Sequence, residues 1–321
     1  MSTYAFVASH HTVDLTTVAA LSAGASGVPD VLAADVARQL GVKGAAVLAT
    51  CNRLEMYVQL HVSAHVHMVR ELIVDSIAQT SGLDKELVAS SFDLFEDEEA
   101  ARHLLTVASG LESAVVGERE IAGQVRRALA AAQAKAQEDG VPLPGELVQL
   151  FEHAAHTARQ VGQHTALGAQ GRSIVSVALD LADEVAEKDW STRRALIFGT
   201  GAYAGATIAA LRERGCTDIW VNSRSGRAAE FAAKREVSAV PVDGMEQAMA
   251  SADVIIGCSG GSDPLLPEQI PGGHHTILDL ALSRDFDPSV ADLPNVELIT
   301  LESVRLAAPE ETEESVATAT R

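Results

Sequence analysis

Two short apolar runs, TYAFVAS (3–9) and GAAVLAT (44–50), have the length of buried strands rather than of helices. Between them, PDVLAADVARQL (29–40) has its apolar residues at helical spacing, with Pro29 and Asp30 as start signals. EMYVQLHV (55–62) alternates as a third strand, and HMVRELIVDSIAQTSG (67–82) is an amphipathic helix that stops at Gly82. The order β-α-β-β-α predicts an α/β unit of the ferredoxin-like split kind. From 98 to 164 the spacing is mostly helical, broken by EDGVPLPGE (138–146). A turn is expected around Gly168 to Gly171, then a helix over SIVSVALDLADEVAE (173–187).

The second half has a different rhythm. RALIFGTGAYAGATIAALRERG (194–215) is a strand, a glycine-rich turn and a helix, and DIWVNSR (218–224) is the next strand. The pattern Gly199-x-Gly201-x-x-Ala204 falls at the strand-to-helix junction, where a dinucleotide pyrophosphate meets backbone N–H groups and the helix dipole. Gly199, Thr200, Gly201, Ala202, Tyr203 and Ala204 are therefore candidate cofactor residues. A protein that binds NAD usually ends the second strand in Asp or Glu. Here stand Asn222, Ser223, Arg224 and Ser225, with Arg227 close by, and hydroxyls with arginine suit a 2′-phosphate. NADPH is the expected cofactor; an NAD site lacking its acid, beside a surface arginine, is the alternative. DVIIGCS (253–259) and TILDLA (276–281) extend an open parallel sheet. The expected fold class is thus α/β: a ferredoxin-like α+β domain and following helices over 1–158, then a Rossmann-type domain over 159–307. An acidic tail, 308–321, is expected to be disordered.

Composition narrows the function classes. A formal charge of −20 argues against broad, sequence-independent nucleic-acid binding, which uses a basic face, but leaves room for a local basic patch. The acidic stretches FEDEEA (95–100) and PEETEES (309–315) read as solvated faces. No run of about 18 apolar residues predicts a membrane span, and the first residues lack a signal-peptide pattern. Three cysteines without paired spacing fit neither a disulfide framework nor a zinc site, so a reducing cytoplasm is the expected location. His61, His65 and His67 have no carboxylate or cysteine to complete a set, and no metal is expected.

The stretch VLATCNRLEMYV (47–58) carries the chemistry. A buried strand has no use for Arg53 and Glu55, and a plain loop has none for Cys51. A cysteine in a polar turn beside an arginine can be held as a thiolate. With a nicotinamide site elsewhere in the chain, this suggests that the thiolate takes an activated acyl group as a thioester, which hydride reduces to an aldehyde. The alternative is that Cys51 is a small buried residue.

TCNRLEMY (50–57), VASGLESAVVGEREIAGQVRRA (107–128), SIVSVAL (173–179), the glycine turn and LDLALSRDFDPSV (278–290) resemble the glutamyl-tRNA reductase family. The likeness runs in order from SHHT (9–12) to about residue 304. It implies NADPH-dependent reduction of the glutamyl group of glutamyl-tRNA(Glu) to glutamate-1-semialdehyde, feeding 5-aminolevulinate and tetrapyrrole synthesis. Cys51 would displace the tRNA ester, and the downstream glutamate-1-semialdehyde aminotransferase would be a candidate partner. Thr50, Asn52 and Arg53 match the substrate-binding turn, with Arg53 facing the glutamyl carboxylate. Ser113, Glu118, Arg119, Glu120 and Gln124 match further substrate contacts. His103 matches a histidine near the thiol, a candidate for proton handling; the alternative is a packed helix histidine.

Three departures qualify the likeness. The family pattern G-E-P-Q-I reads GEREI (117–121) here, so Glu120 replaces an amide and Arg119 a proline or glutamine. The basic segment of the family becomes RQVGQHT (159–165). The family's spine helix and dimerisation domain have no counterpart in the chain, which leaves the oligomeric state open. Three alternatives follow: a catalytically impaired NADP(H)-binding paralogue; a shikimate-type dehydrogenase, which would need a lysine–aspartate pair and leave Cys51 unexplained; and a truncated form of a longer reductase.

Overall fold

The computed structural model describes residues 1–50, 52–62, 64–113, 120–164, 174–185, 189–241, 243–260, 263–281 and 284–307. The chain divides into two units, Met1–Gly171 and Arg172–Pro309.

In the first unit, strands β1 (Ser2–Ser9), β2 (Val42–Thr50), β3 (Arg53–Leu60) and β4 (Asp93–Glu96) form one antiparallel sheet in the order β2-β3-β1-β4. That is the ferredoxin-like order, and β4 completes the pattern expected from sequence. β4 itself falls partly in the acidic stretch read as a solvated face. It is a short edge strand with its flanking carboxylates in water.

Period-2 alternation sorts the strand residues onto two faces. Phe6, Ala8, Leu54, Met56, Val58 and Leu60 pack under α1 (Leu15–Gly24), α2 (Val28–Ala33), α3 (Asp35–Gln39), α4 (Val66–Ser81) and α5 (Lys85–Ser90). Ala5, Val7, Ala46, Leu48 and Tyr57 face α6 (Glu98–Ala108), α7 (Glu120–Glu138) and α8 (Gly145–His164). β3 is central and covered on both sides, so all eight of its residues are buried, the charged ones included.

The helix expected over 29–40 is two helices, because Ala34 is extended (φ −66°, ψ 157°). Leu15–Ala33 is apolar enough over 19 residues to pass for a membrane span by composition. Here it is broken into short pieces whose Leu21, Val28 and Leu32 lie in the core. α4 stops where expected, at Gly82 with φ 73°. α8 runs unbroken past residue 158, so the first unit extends beyond the expected boundary.

The second unit holds a six-stranded parallel sheet: β5 (Arg194–Phe198), β6 (Asp218–Asn222), β7 (Ser238–Ala239), β8 (Val254–Gly257), β9 (His275–Asp279) and β10 (Val296–Thr300). Its order, β10-β9-β8-β5-β6-β7, is that of a doubly wound nucleotide-binding domain. The helix that leads into it, α9 (Ile174–Val185), buries Ile174, Val177 and Leu179.

Candidate active site

The β2–β3 hairpin sets the first half of the site. Thr50 pairs with Arg53 across it, and Ser9 at the end of β1 pairs with Arg53 from the other side. Cys51 lies outside the described residues, as do Glu118 and Arg119. The neighbours of Cys51 are firmly held. Thr50 Oγ1 donates to Asn52 Oδ1 at 2.8 Å, and the Asn52 carbonyl accepts from the His10 N–H at 2.9 Å. The Asn52 side-chain nitrogen is buried without a partner among the described residues.

Arg53 is 1% exposed. Nη1 donates to Glu55 Oε1 at 2.9 Å and Nη2 donates to the Glu112 carbonyl, while Nε is buried and unpartnered. Two of the guanidinium's five N–H bonds are thus committed inside the protein.

Beneath the arginine lies a polar row that corrects the expectation that a buried strand has no use for Arg53 and Glu55, since both belong to buried β3. Arg53, Glu55, Tyr57 and Gln59 share the face of β3 that looks toward α6, α7 and α8, and all four are buried. Glu55 accepts from Arg53 Nη1, from His103 Nε2 at 2.9 Å and from the Tyr57 hydroxyl at 2.7 Å. Burial alone would push the Glu55 carboxyl up. The His103 hydrogen bond and the Arg53 and His103 charges outweigh it and bring the value down to about 2. The Tyr57 phenol is pushed up, by burial first and by the Glu55 charge next. An Arg two residues before a Glu in an otherwise apolar strand was the available signal.

His103 sits on α6, and the turn before that helix is pinned to β1. Asp97 Oδ1 accepts from the Thr3 N–H at 2.8 Å, and Asp97 N donates to the Thr3 carbonyl at 2.7 Å. The Phe95 ring stacks on the imidazole at 5.0 Å with 14° between planes. The same histidine lines an open groove of about 620 Å³ with Phe95, Glu98, Glu99, Arg102 and Glu112. His11, from the SHHT stretch, reaches Glu112 at 3.2 Å.

Of the other expected substrate residues, Ser113 is buried near Glu112 in sequence, and its N–H donates to the Gly110 carbonyl at 3.4 Å. Glu120 opens α7. Gln124 follows one turn later, with its Oε1 buried and unpartnered.

In the second unit Gly199 has φ +116° and packs against the Cys258 carbonyl. Gly201 is the N-cap of the helix Ala202–Glu213, which has no side-chain cap, and a Cβ there would meet nothing within 4 Å. Open space at Gly201 beside a helix N-terminus without a side-chain cap fits a pyrophosphate. Ala204 is fully buried, as close helix–sheet packing requires, and the Tyr203 carbonyl accepts from Thr207. A chain of side chains crosses the end of β6: Thr200 Oγ1 lies 3.4 Å from Ser223 Oγ, which lies 2.8 Å from Ser225 Oγ, which accepts from Arg227 Nε at 2.9 Å. Arg224 donates to the Asp263 carbonyl instead.

The residues around β8 and β9 were also missed. Ser259 donates to Asp285 through both its N–H and its hydroxyl. Asp279 accepts three backbone N–H bonds, yet burial, the largest influence, raises it to about 6.

A doubly wound parallel sheet with a glycine-cradled helix N-terminus defines the class: a nucleotide-dependent dehydrogenase-type protein with a separate α/β unit. The model for the glutamyl-tRNA(Glu) reductase N-terminal domain matches residues 7–165, and that for shikimate / quinate 5-dehydrogenase matches 180–306. The chain is 59% identical to a glutamyl-tRNA reductase of Kocuria rhizophila over 99% of its own length and 71% of the relative's. It is 51% identical to that of Micrococcus luteus over 99% and 72%. A solved glutamyl-tRNA reductase from Methanopyrus kandleri aligns at 23% identity and a TM-score of 0.46, covering 99% of this chain and 74% of that one. The chain belongs to the glutamyl-tRNA reductase family.

Proposed function

We propose that the protein reduces the glutamyl group of glutamyl-tRNA(Glu) to glutamate-1-semialdehyde in the cytoplasm, with NADPH as reductant and a thioester on Cys51. The observation that supports it best is the buried assembly next to residue 51. Thr50, Asn52 and Arg53 are fixed at the hairpin end, and His103 is held on the same carboxylate as Arg53. A protein that needed only a packed strand would not bury an arginine, a glutamate and a glutamine in a row.

The steps follow from the chemistry of these groups. The Cys51 thiol gives up its proton as its sulfur attacks the ester carbonyl, and the carbon–oxygen bond to the tRNA ribose breaks as the ribose oxygen takes a proton. The unpartnered Asn52 amide would donate to the acyl group, and the unpartnered Arg53 Nε–H to the glutamyl side-chain carboxylate. When bound, NADPH supplies the hydride that converts the thioester to the aldehyde and frees the thiolate. The Ser223–Ser225–Arg227 chain recognises the 2′-phosphate of the cofactor. The downstream glutamate-1-semialdehyde aminotransferase is the partner to which a reactive aldehyde would pass.

The test is turnover by the purified chain: glutamyl-tRNA and NADPH should give glutamate-1-semialdehyde with matching NADPH oxidation. NADPH binding without product would instead support the impaired-paralogue reading.

A further inference from the structure

Glu55 is fully buried and gathers three donors, two of them from residues that the proposed reaction uses. A buried carboxylate is costly to keep, and an apolar residue would fill the space as well. Resting on the thioester reading above, we infer that Glu55 is the positioning residue of the site. It fixes His103 as the Nε2–H tautomer and leaves Nδ1 as the ring nitrogen that takes and returns the proton.

The geometry supports the tautomer and the fixed ring, and Nδ1 is the nitrogen that remains. A carboxylate can only accept, so the 2.9 Å contact places the proton on Nε2. The stacked Phe95 ring holds the imidazole plane, and Asp97 ties the start of α6 to β1. The other charged groups lining the histidine's groove are Glu98, Glu99 and Arg102, all exposed, and the half-buried Glu112. Water screens them more than it screens Glu55.

The step balances without a redox change. The Cys51 thiol proton passes to Nδ1 as sulfur bonds to the acyl carbon. The proton then passes to the departing ribose oxygen as the ester bond breaks. Glu55 steadies the imidazolium in between and never takes the proton itself.

The test is single-turnover attachment of labelled glutamate to the full chain from glutamyl-tRNA without NADPH, across pH, with folding checked by thermal unfolding. Glu55→Gln should slow attachment about 100-fold and flatten the acidic limb of the pH profile. His103→Ala should slow it by a similar factor, and the double variant should be no slower than either single one. If Glu55→Gln does not fold, Glu55→Asp carries the same cycle, because the shortened side chain draws away from Nε2. Its loss must again vanish in the His103→Ala background. A folded Glu55 variant with wild-type rate and pH profile, or losses that multiply in the double variant, would overturn the inference. Absence of attachment in the wild-type chain would instead remove the thioester reading on which it rests.

Discussion

Gly199 and the Cys258 carbonyl approach so closely that a Cβ on the glycine would stand 2.8 Å from that oxygen. With φ at +116°, the position is closed to other residues on two counts. Gly199→Ala should destabilise the protein by about 1–3 kcal/mol from backbone strain alone, before any clash. Gly201→Ala meets open space, and should stay within about 1 kcal/mol of wild type while weakening dinucleotide binding. Urea unfolding alongside NADPH titration separates the two effects.

Arg227, rather than Arg224, is the arginine tied into the hydroxyl chain at the end of β6. Arg227→Ala should weaken NADPH binding about 10- to 100-fold, the worth of one charge-assisted hydrogen bond, with NADH binding unchanged. Arg224→Ala should have the smaller effect. Equal losses for both cofactors would place the 2′-phosphate elsewhere.

Tyr57 donates 2.7 Å to Glu55 Oε2 while its ring meets Phe151 edge-on at 5.3 Å. Tyr57→Phe keeps the ring contact and removes one donor from a buried carboxylate. It should cost about 1–3 kcal/mol, read from the urea midpoint.

Two buried carboxylates with large shifts give opposite pH signatures in separate units. Glu55 is lowered to about 2 from an ordinary 4.5, so its contribution is present above the unfolded value and is lost as pH falls toward 2. Asp279 is raised to about 6 from 3.8, so its contribution is full below the unfolded value and is lost as pH rises through about 6. Asp279→Asn should flatten the stability profile between about pH 4 and 6 and leave the acid limb in place. Unfolding followed across pH tests both signs.

How much was legible depended on whether the signal was local. The strand, glycine turn and helix at 194–215 are specified by consecutive residues, and β5 and the following helix form where expected. β4 was hidden because DLFE has the composition of a solvated acidic stretch. α1 was hidden because LTTVAALSAG is apolar nearly all round and shows no helical stripe. Cys51 and Arg53 were singled out by residue type. The burial of Glu55 was not visible, because it depends on α6, α7 and α8 covering the second face of the sheet. No spacing within β3 reports that layer.

The central claim is a covalent glutamyl enzyme at residue 51. The most direct measurement treats the purified chain and its Cys51→Ser variant with labelled glutamyl-tRNA in the absence of NADPH, then locates acid-stable label by peptide mapping. Label on the peptide containing Cys51, absent from the variant and released as aldehyde when NADPH is added, is the expected result. Unlabelled wild-type protein that still binds NADPH, or label that persists in Cys51→Ser, would contradict it.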